Sequence, residues 1–192
     1  MKVVFDIDDT LWGLIAKICN DLHIDINLIT DFHITNNDAL TQKEKDAIIA
    51  TFQNPETFKH IKWYQGVERI NTLLSNGIDV WIKSNNFGTD VRDTKYHEIK
   101  RVMNIPDKKI ILNLVSVKTI QNNKQIDKDV TVFVDDNPNA LANSNAKYNI
   151  AIKQPWNTSS QAKEILKDKH VIYFDTLNKA IDYIIALSKL GE

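Results

Sequence analysis

The chain has 192 residues, with 24 basic and 25 acidic side chains and a formal net charge of −1 at neutral pH. This length is enough to bury one full hydrophobic core, but it is short for two ordinary domains. Because the charges are interspersed without a basic block, we expect no long nucleic acid as a partner. Nothing in the sequence specifies an oligomeric state.

The single cysteine, Cys19, lies in an apolar periodic run and cannot form an intrachain disulfide. We therefore interpret it as a small core residue in a reducing compartment. The N-terminus begins with Met1 and Lys2, but Asp6 and Asp8 interrupt the apolar stretch that a signal peptide needs. No run approaches the roughly 18 apolar residues that span a bilayer. We expect a soluble cytoplasmic protein without a membrane partner.

Six short runs rich in β-branched and aromatic residues predict strands, and several of them are continuously apolar, as is typical of strands covered on both faces. The runs span residues 2–5, 78–83, 109–114, 130–134, 149–153 and 170–174. Helix patterns lie between them, at residues 66–77, 95–103, 159–166 and 176–190. This alternation predicts an α/β fold with a doubly wound parallel sheet.

One segment, residues 13–64, breaks the alternation because it shows helix patterns without a convincing strand. Thr41 and Glu44 within it have the spacing of a capping box, which predicts a helix start. About fifty residues are more than an ordinary connection between a strand and a helix needs. We interpret residues 13–64 as a small helical cap, and residues 1–12 and 65–192 as the α/β core.

Polar residues follow three of the predicted strands directly. They are Asp6, Asp8, Asp9 and Thr10 after the first, Ser84, Asn85 and Asn86 after the second, and Asp135, Asp136 and Asn137 after the fourth. Ligands of open α/β sheets bind beyond the carboxyl ends of the strands, so we expect these side chains to form one site. Two lysines, Lys95 and Lys118, lie in the segments between the second and fourth strands and are candidates for binding an anion.

Carboxylates that converge from two strand ends favour a magnesium site, because Mg²⁺ binds one or two carboxylates and keeps several waters. The predicted metal ligands are Asp6, Asp8, Asp135 and Asp136. The five histidines show no ligand spacing, which argues against zinc.

The same residue types suit phosphoryl transfer. A carboxylate such as Asp6 can attack phosphorus and form an aspartyl phosphate, which splits one difficult displacement into two easier ones. Asp8, two residues further on, can protonate the leaving alkoxide and later deprotonate the hydrolytic water. Ser84 and a lysine, Lys95 or Lys118, would hold the phosphoryl oxygens as the charge shifts.

As a set, these motifs resemble those of the haloacid dehalogenase superfamily of phosphatases. DIDDT after an apolar strand, Ser84 at the end of VWIKS, a helical lysine after it and VFVDD follow in the family's order over residues 1–150. The resemblance implies an aspartyl-phosphate mechanism with Mg²⁺ as the cofactor. It also identifies Lys95 as the lysine of the third motif and Lys118 as a second candidate for the phosphate site.

Within that superfamily, the stretch from Trp63 to Asn86 is similar to the 5′(3′)-deoxyribonucleotidases. This similarity implies a small phosphate ester, namely a (deoxy)nucleoside monophosphate, as the substrate. The residues assigned to substrate binding are Thr10, Asn85 and Lys118 and the cap aromatics Phe32 and Trp63. The chain has Asp9 and Thr10 where that family has a glycine and a valine, and Asn86 where it tends to have a proline.

Three alternatives remain open at this stage. The first is a phosphatase of sugar phosphates or other small metabolite phosphates, which uses the same chemistry. The second is a signalling receiver-like module, although in a receiver the acidic pair comes first and the lysine last, whereas here both lysines precede Asp135. The third is a catalytically inactive phosphate-binding protein on the same fold.

Overall fold

The computed structural model describes residues 1–115 and 126–191, and in them six strands form one parallel sheet. The strands are β1 (Lys2–Phe5), β2 (Asp79–Asn86), β3 (Ile110–Leu114), β4 (Val132–Val134), β5 (Tyr148–Ile152) and β6 (Val171–Phe174). Their spatial order is β3-β2-β1-β4-β5-β6. All six lie where apolar runs predict them, and the doubly wound α/β fold is confirmed.

Helices pack on both sides of this sheet. The α-helices are α1 (Leu14–Leu22), α2 (Gln42–Thr51), α3 (Pro55–Phe58), α4 (Ile70–Ser75), α5 (Thr89–Val102), α6 (Pro138–Ala142), α7 (Ser160–Ile165) and α8 (Leu177–Lys189). Short 3-10 helices lie at Ile26–Leu28, Ile34–Asn36, Val67–Arg69 and Asp107–Lys109. Among the described residues, no helix is both long enough and apolar enough to cross a bilayer.

The spatial order of the strands brings two acidic strand ends together. From β1 the chain winds outward through β2 and β3, and then returns to the other side of β1 as β4. The pairing of β1 and β4 continues past the strands, since the Asp6 N–H donates to the Val134 carbonyl at 2.9 Å. Asp6 and Asp135 therefore leave the sheet side by side, at the topological switch point where ligands of such sheets bind.

Strand β2 is longer than predicted. Its last three residues, Ser84 to Asn86, pair in register with Leu112 to Leu114 of β3. Ser84 therefore lies within the strand instead of following it. Because side chains alternate along a strand, Ser84 and Asn86 point into the protein and are buried, whereas Asn85 points to the other face.

The segment predicted as a cap contains helices α1, α2 and α3 and two of the 3-10 helices. Its two ends lie against each other, because the Gly13 N–H donates to the Lys62 carbonyl and the Tyr64 N–H donates to the Leu11 carbonyl. Its apolar side chains belong to the same cluster of buried residues as those of the sheet. The division into a cap and a core remains a prediction.

Cys19 is buried on α1, as expected of a core residue. Burial raises the pKa of its thiol to about 11, so the thiol stays protonated at neutral pH.

The predicted capping box at the start of α2 is confirmed. The Thr41 hydroxyl accepts from the Glu44 N–H at 3.3 Å, and the Glu44 carboxylate accepts from the Thr41 N–H at 2.8 Å. We expect Thr41→Ala to lower the free energy of unfolding by about 1 kcal/mol in urea denaturation, because the Glu44 N–H loses the hydroxyl that accepts its hydrogen bond. Thr72→Ala, at an exposed position inside α4, is the control and should change it by less than about 0.5 kcal/mol. Equal losses in the two variants would contradict this account.

Candidate active site

Three carboxylates form a compact buried cluster at the switch point. Asp6, Asp135 and Asp136 each place an oxygen within 4.8 Å of the others, and all three side chains are buried. The pKa of Asp136 is raised mainly by burial, and then by the charges of Asp135, Asp9 and Asp6. Buried like charges at this distance are costly, and a hard divalent cation would offset them with its preferred oxygen ligands. The residues present therefore fit a Mg²⁺ site.

Further contacts fix Asp135 and Asp136 in place. The Asp135 carboxylate accepts from the Asn137 N–H at 2.8 Å. The Trp156 indole donates to Asp136 Oδ2 at 2.8 Å, and the Thr10 hydroxyl lies 3.5 Å from Asp136 Oδ1. Thr10 is fully buried, so the structure places this predicted substrate-binding residue behind the acidic cluster, against Asp136.

Asp8 lies beside the cluster and has different partners. Its Oδ2 pairs with the Lys95 ammonium at 2.5 Å, and its Oδ1 accepts from the Trp12 indole N–H at 2.8 Å. Among the described residues, the group of carboxylates that could hold a metal does not include Asp8, although the sequence assigned it to metal binding as well as to proton transfer. The geometry suits the second role, because Asp8 faces the cavity next to a cation.

Lys95 is one of the largest buried side chains of the protein and is only 1% exposed. It projects from the second turn of α5, the helix that follows β2. Besides Asp8, its ammonium contacts the Asn85 carbonyl at 3.3 Å and lies 4.8 Å from the centre of the Phe58 ring. A buried ammonium with these partners is held as a fixed positive charge at the carboxyl ends of β1 and β2.

Asp9 turns the chain out of the sheet. Its φ of 54° is in the left-handed region, which aspartate tolerates better than most residues. Its buried carboxylate accepts from the Ile15 N–H at the start of α1 at 3.0 Å. Burial raises the pKa of Asp9, and the hydrogen bond from Ile15 opposes this. Its carbonyl accepts from the Gln154 side chain at 2.9 Å, which ties the turn to the loop after β5.

A cavity of about 270 Å³ opens above these groups. Its polar lining residues are Asp6, Asp8, Asp9, Ser84, Asn85, Lys95, Asp135, Asp136 and Asn137. The rest of the lining is mostly apolar and includes Ile29, Phe32, Ile34, Ile49, Phe52, Phe58, Phe87 and Val115. The structure therefore brings together a charged site and an apolar chamber, as an ester with a charged and an uncharged half requires.

The two predicted cap aromatics have different positions. Phe32 lines the cavity, whereas Trp63 is not among the lining residues and packs against Trp12, with 4.8 Å between ring centres. Lys118 lies outside the described residues. The predicted site residues that line the cavity are therefore Asp6, Asp8, Phe32, Ser84, Asn85, Lys95, Asp135 and Asp136.

The loop that carries Phe32 is organised by Asn37, a residue that the sequence did not single out. Asn37 is 1% exposed, and its side-chain oxygen accepts from the N–H groups of Thr30 and Asp31 at 2.7 and 2.8 Å. Its side-chain nitrogen donates to the carbonyls of Asp31, His33 and Ile34. One buried amide thereby fixes the chain that presents Phe32 and His33 to the cavity.

Solved structures share the fold of this chain. A haloacid dehalogenase-like hydrolase from Streptococcus pneumoniae matches with a TM-score of 0.56 and 15% identity, over 95% of this chain and 97% of that one. A proposed phosphatase from Clostridium difficile gives a TM-score of 0.56 and 16% identity over the same shares. The fold is that of the haloacid dehalogenase-like hydrolases.

A proposed β-phosphoglucomutase from Bacteroides vulgatus matches this haloacid dehalogenase-like fold with a TM-score of 0.51 and 14% identity, over 98% of this chain and 88% of that one. No protein-family model and no curated protein sequence matches the chain. The fold-level part of the predicted resemblance is confirmed, and the likeness to the 5′(3′)-deoxyribonucleotidases remains a prediction.

Proposed function

We propose that the chain is a Mg²⁺-dependent phosphomonoesterase that forms an aspartyl phosphate, and that its substrate is a (deoxy)nucleoside monophosphate. The observation that carries the proposal is the cluster of Asp6, Asp135 and Asp136, which lines one cavity together with the Asp8–Lys95 pair. A cation site, a nucleophile, a proton carrier and a fixed positive charge lie within one crevice. These are the groups that hydrolysis of a phosphate monoester requires.

In this mechanism the Asp6 carboxylate attacks phosphorus, and the bond between phosphorus and the ester oxygen breaks. Asp8 transfers a proton to that oxygen, so the leaving group departs as a neutral alcohol. Asp8 then takes a proton from a water molecule that attacks the aspartyl phosphate, and phosphate is released. Ser84, Asn85 and Lys95 bind the phosphoryl oxygens through both steps.

Asp6, Asp135 and Asp136 would hold the cation. When bound, Mg²⁺ would offset the negative charge that a phosphate group brings next to three carboxylates. The burial of this cluster keeps bulk water away from the acyl phosphate until the alcohol has left.

The apolar wall supports a nucleotide over a sugar phosphate. A sugar presents several hydroxyl groups, and a site that buries them has to supply hydrogen-bond partners. The cavity lining offers instead a set of phenylalanine rings, which suit the flat face of a base. Hydrolysis of small sugar phosphates remains the alternative within the same chemistry.

Release of inorganic phosphate tests the proposal. Purified protein is assayed on deoxynucleoside monophosphates, ribonucleoside monophosphates and sugar phosphates, with Mg²⁺ or with excess chelator. We expect release from nucleotides that requires the cation. Full activity in chelator would overturn the metal mechanism, and a preference for sugar phosphates would overturn the nucleotidase assignment while leaving the phosphatase chemistry intact. Release from no ester would favour the phosphate-binding or receiver-like alternatives.

Phe32 tests the substrate class directly. We expect Phe32→Ala to lower kcat/KM on a deoxynucleoside monophosphate roughly tenfold to hundredfold, because base–aromatic stacking of about 1–3 kcal/mol is lost. The loss on a sugar phosphate should be smaller. Steady-state kinetics on both esters measure the difference, with Tyr96→Ala, an aromatic outside the cavity lining, as the control. Equal losses on both esters would argue that Phe32 supports the fold and does not contact a base.

A further inference from the structure

The indole of Trp12 is hydrogen-bonded to Asp8. Trp12 is fully buried, and its Nε1–H donates to Asp8 Oδ1 at 2.8 Å. A tight turn places the two residues next to each other, since the N–H groups of Thr10, Leu11 and Trp12 all point to the Ile7 carbonyl. Trp12 is not among the residues that line the cavity, and its indole N–H reaches the site through Asp8.

Two aromatic rings of the helical segment fix the Trp12 ring. Trp63 lies 4.8 Å from it, ring centre to ring centre, and Phe58 lies at 6.3 Å. The Phe58 ring also lies 4.8 Å from the Lys95 ammonium. The aromatic cradle formed by Trp12, Phe58 and Trp63 thus supports both members of the Asp8–Lys95 pair.

An indole N–H donates a hydrogen bond and cannot accept one. Asp8 Oδ1 therefore serves as the acceptor for Trp12, and a proton carried by this carboxyl group is directed to Oδ2. Oδ2 is the oxygen that faces Lys95. Since Lys95 has a second acceptor in the Asn85 carbonyl, it keeps a partner when Oδ2 is occupied by a proton.

We propose that Trp12 is a positioning residue for proton transfer: it fixes the Asp8 carboxyl so that Oδ2 delivers the proton to the ester oxygen as the phosphorus–oxygen bond breaks. This inference rests on the proposed phosphatase function. It also gives Trp63 a role different from the predicted one, as a packing partner of Trp12 instead of a contact for the substrate.

The test compares two esters and two tryptophans. Trp12→Phe removes the indole N–H and keeps an aromatic ring, and Trp81→Phe makes the same change at an indole N–H that donates to Asp79, outside the cavity lining. The substrates are a deoxynucleoside monophosphate, whose alkoxide must be protonated to leave, and p-nitrophenyl phosphate, whose phenolate leaves without a proton. Circular dichroism and urea denaturation establish that each variant is folded.

We expect Trp12→Phe to lower kcat/KM on the nucleotide roughly tenfold or more, a part of the hundredfold to ten-thousandfold that a general acid contributes. The value of kcat/KM covers only the steps up to departure of the alcohol, so it leaves out the attack of water, in which Asp8 acts as a base on both esters. On p-nitrophenyl phosphate kcat/KM should stay within about threefold, and so should both values of Trp81→Phe, because Trp81 lies outside the cavity lining. An equal loss of kcat/KM on both esters, no loss on either, or the same selective loss in Trp81→Phe would each overturn the proposal.

A spectroscopic measurement does not depend on the fold of Trp12→Phe. The chain has four tryptophans, so its indole N–H groups give four signals in a ¹⁵N–¹H spectrum. The Trp12 signal is the one that Trp12→Phe removes. It can also be assigned by elimination, once the signals of the other three tryptophans have been assigned. We expect Asp8→Asn to shift this signal more than any other, because a charged acceptor becomes neutral. An unmoved signal overturns the contact. If the unmodified protein hydrolyses neither ester, the proposed function fails, and this spectrum still tests the contact.

Discussion

Asp6→Asn should lower kcat for hydrolysis of a phosphate monoester at least roughly a thousandfold, which corresponds to about 4 kcal/mol of barrier. The amide keeps the shape of the side chain but has no anionic oxygen to attack phosphorus. Phosphate release under saturating substrate measures kcat, and acid quenching followed by mass spectrometry should detect a phosphorylated peptide around Asp6 only in the unmodified protein. Activity within tenfold of the unmodified protein would exclude Asp6 as the nucleophile.

Loss of activity in Asp6→Asn is informative only if the variant is folded. Because Asp6 is one of three buried carboxylates, removing its charge should leave the free energy of unfolding of the metal-free protein unchanged or higher. Asp129→Asn is a matched control, since Asp129 is exposed and pairs with Lys2. The control should retain full activity, and a large loss in it would point to a general effect of removing acidic residues.

The sheet could be predicted from the sequence because each strand is an apolar run between polar turns. The prediction differed from the structure at the end of β2, where Ser84, Asn85 and Asn86 were expected to follow the strand. They extend the strand because β3 offers partners for all three, and Asn86 even receives the Val115 N–H on its carbonyl. Strand ends of this kind depend on the neighbouring strand, which the local sequence does not reveal.

The acidic cluster was predictable for a topological reason. In a doubly wound sheet, the first strand and the strand after the reversal are neighbours, so acidic residues at both ends must meet. Lys95 was predictable from its place on the helix after β2, together with the need for a positive charge. The structure adds that this lysine is buried against Phe58 and Asp8.

The supporting residues were not predictable, because their contacts join distant parts of the chain. Trp156 reaches Asp136 across 20 positions, and Gln154 reaches the Asp9 carbonyl across 145. The direction of Thr10 depends on the left-handed turn at Asp9, which sends its hydroxyl towards Asp136. Asn37 gave no signal beyond being one polar residue in a polar segment, yet it organises the loop that carries Phe32.

Mg²⁺ should stabilise the protein, and Asp135→Asn should abolish that stabilisation. A ligand present at a hundred times its dissociation constant stabilises the folded state by about 2.7 kcal/mol. For a chain of this size, each kcal/mol raises Tm by roughly 2–4 °C, so we expect saturating Mg²⁺ to raise Tm by about 5–11 °C. Calorimetry with Mg²⁺ and with chelator measures the shift without an activity assay.

Asp135→Asn removes a charge from the buried cluster but keeps an oxygen that can accept from the Asn137 N–H. Its metal-free form should therefore melt at the same temperature as the unmodified protein or higher, while the Mg²⁺-dependent rise disappears. Asp136→Asn should reduce the rise less, because the Trp156 indole and the Thr10 hydroxyl already contact both oxygens of Asp136. Asp129→Asn should keep the whole rise. If Asp135→Asn keeps it as well, the cluster is not the cation site, and the three buried carboxylates need another explanation.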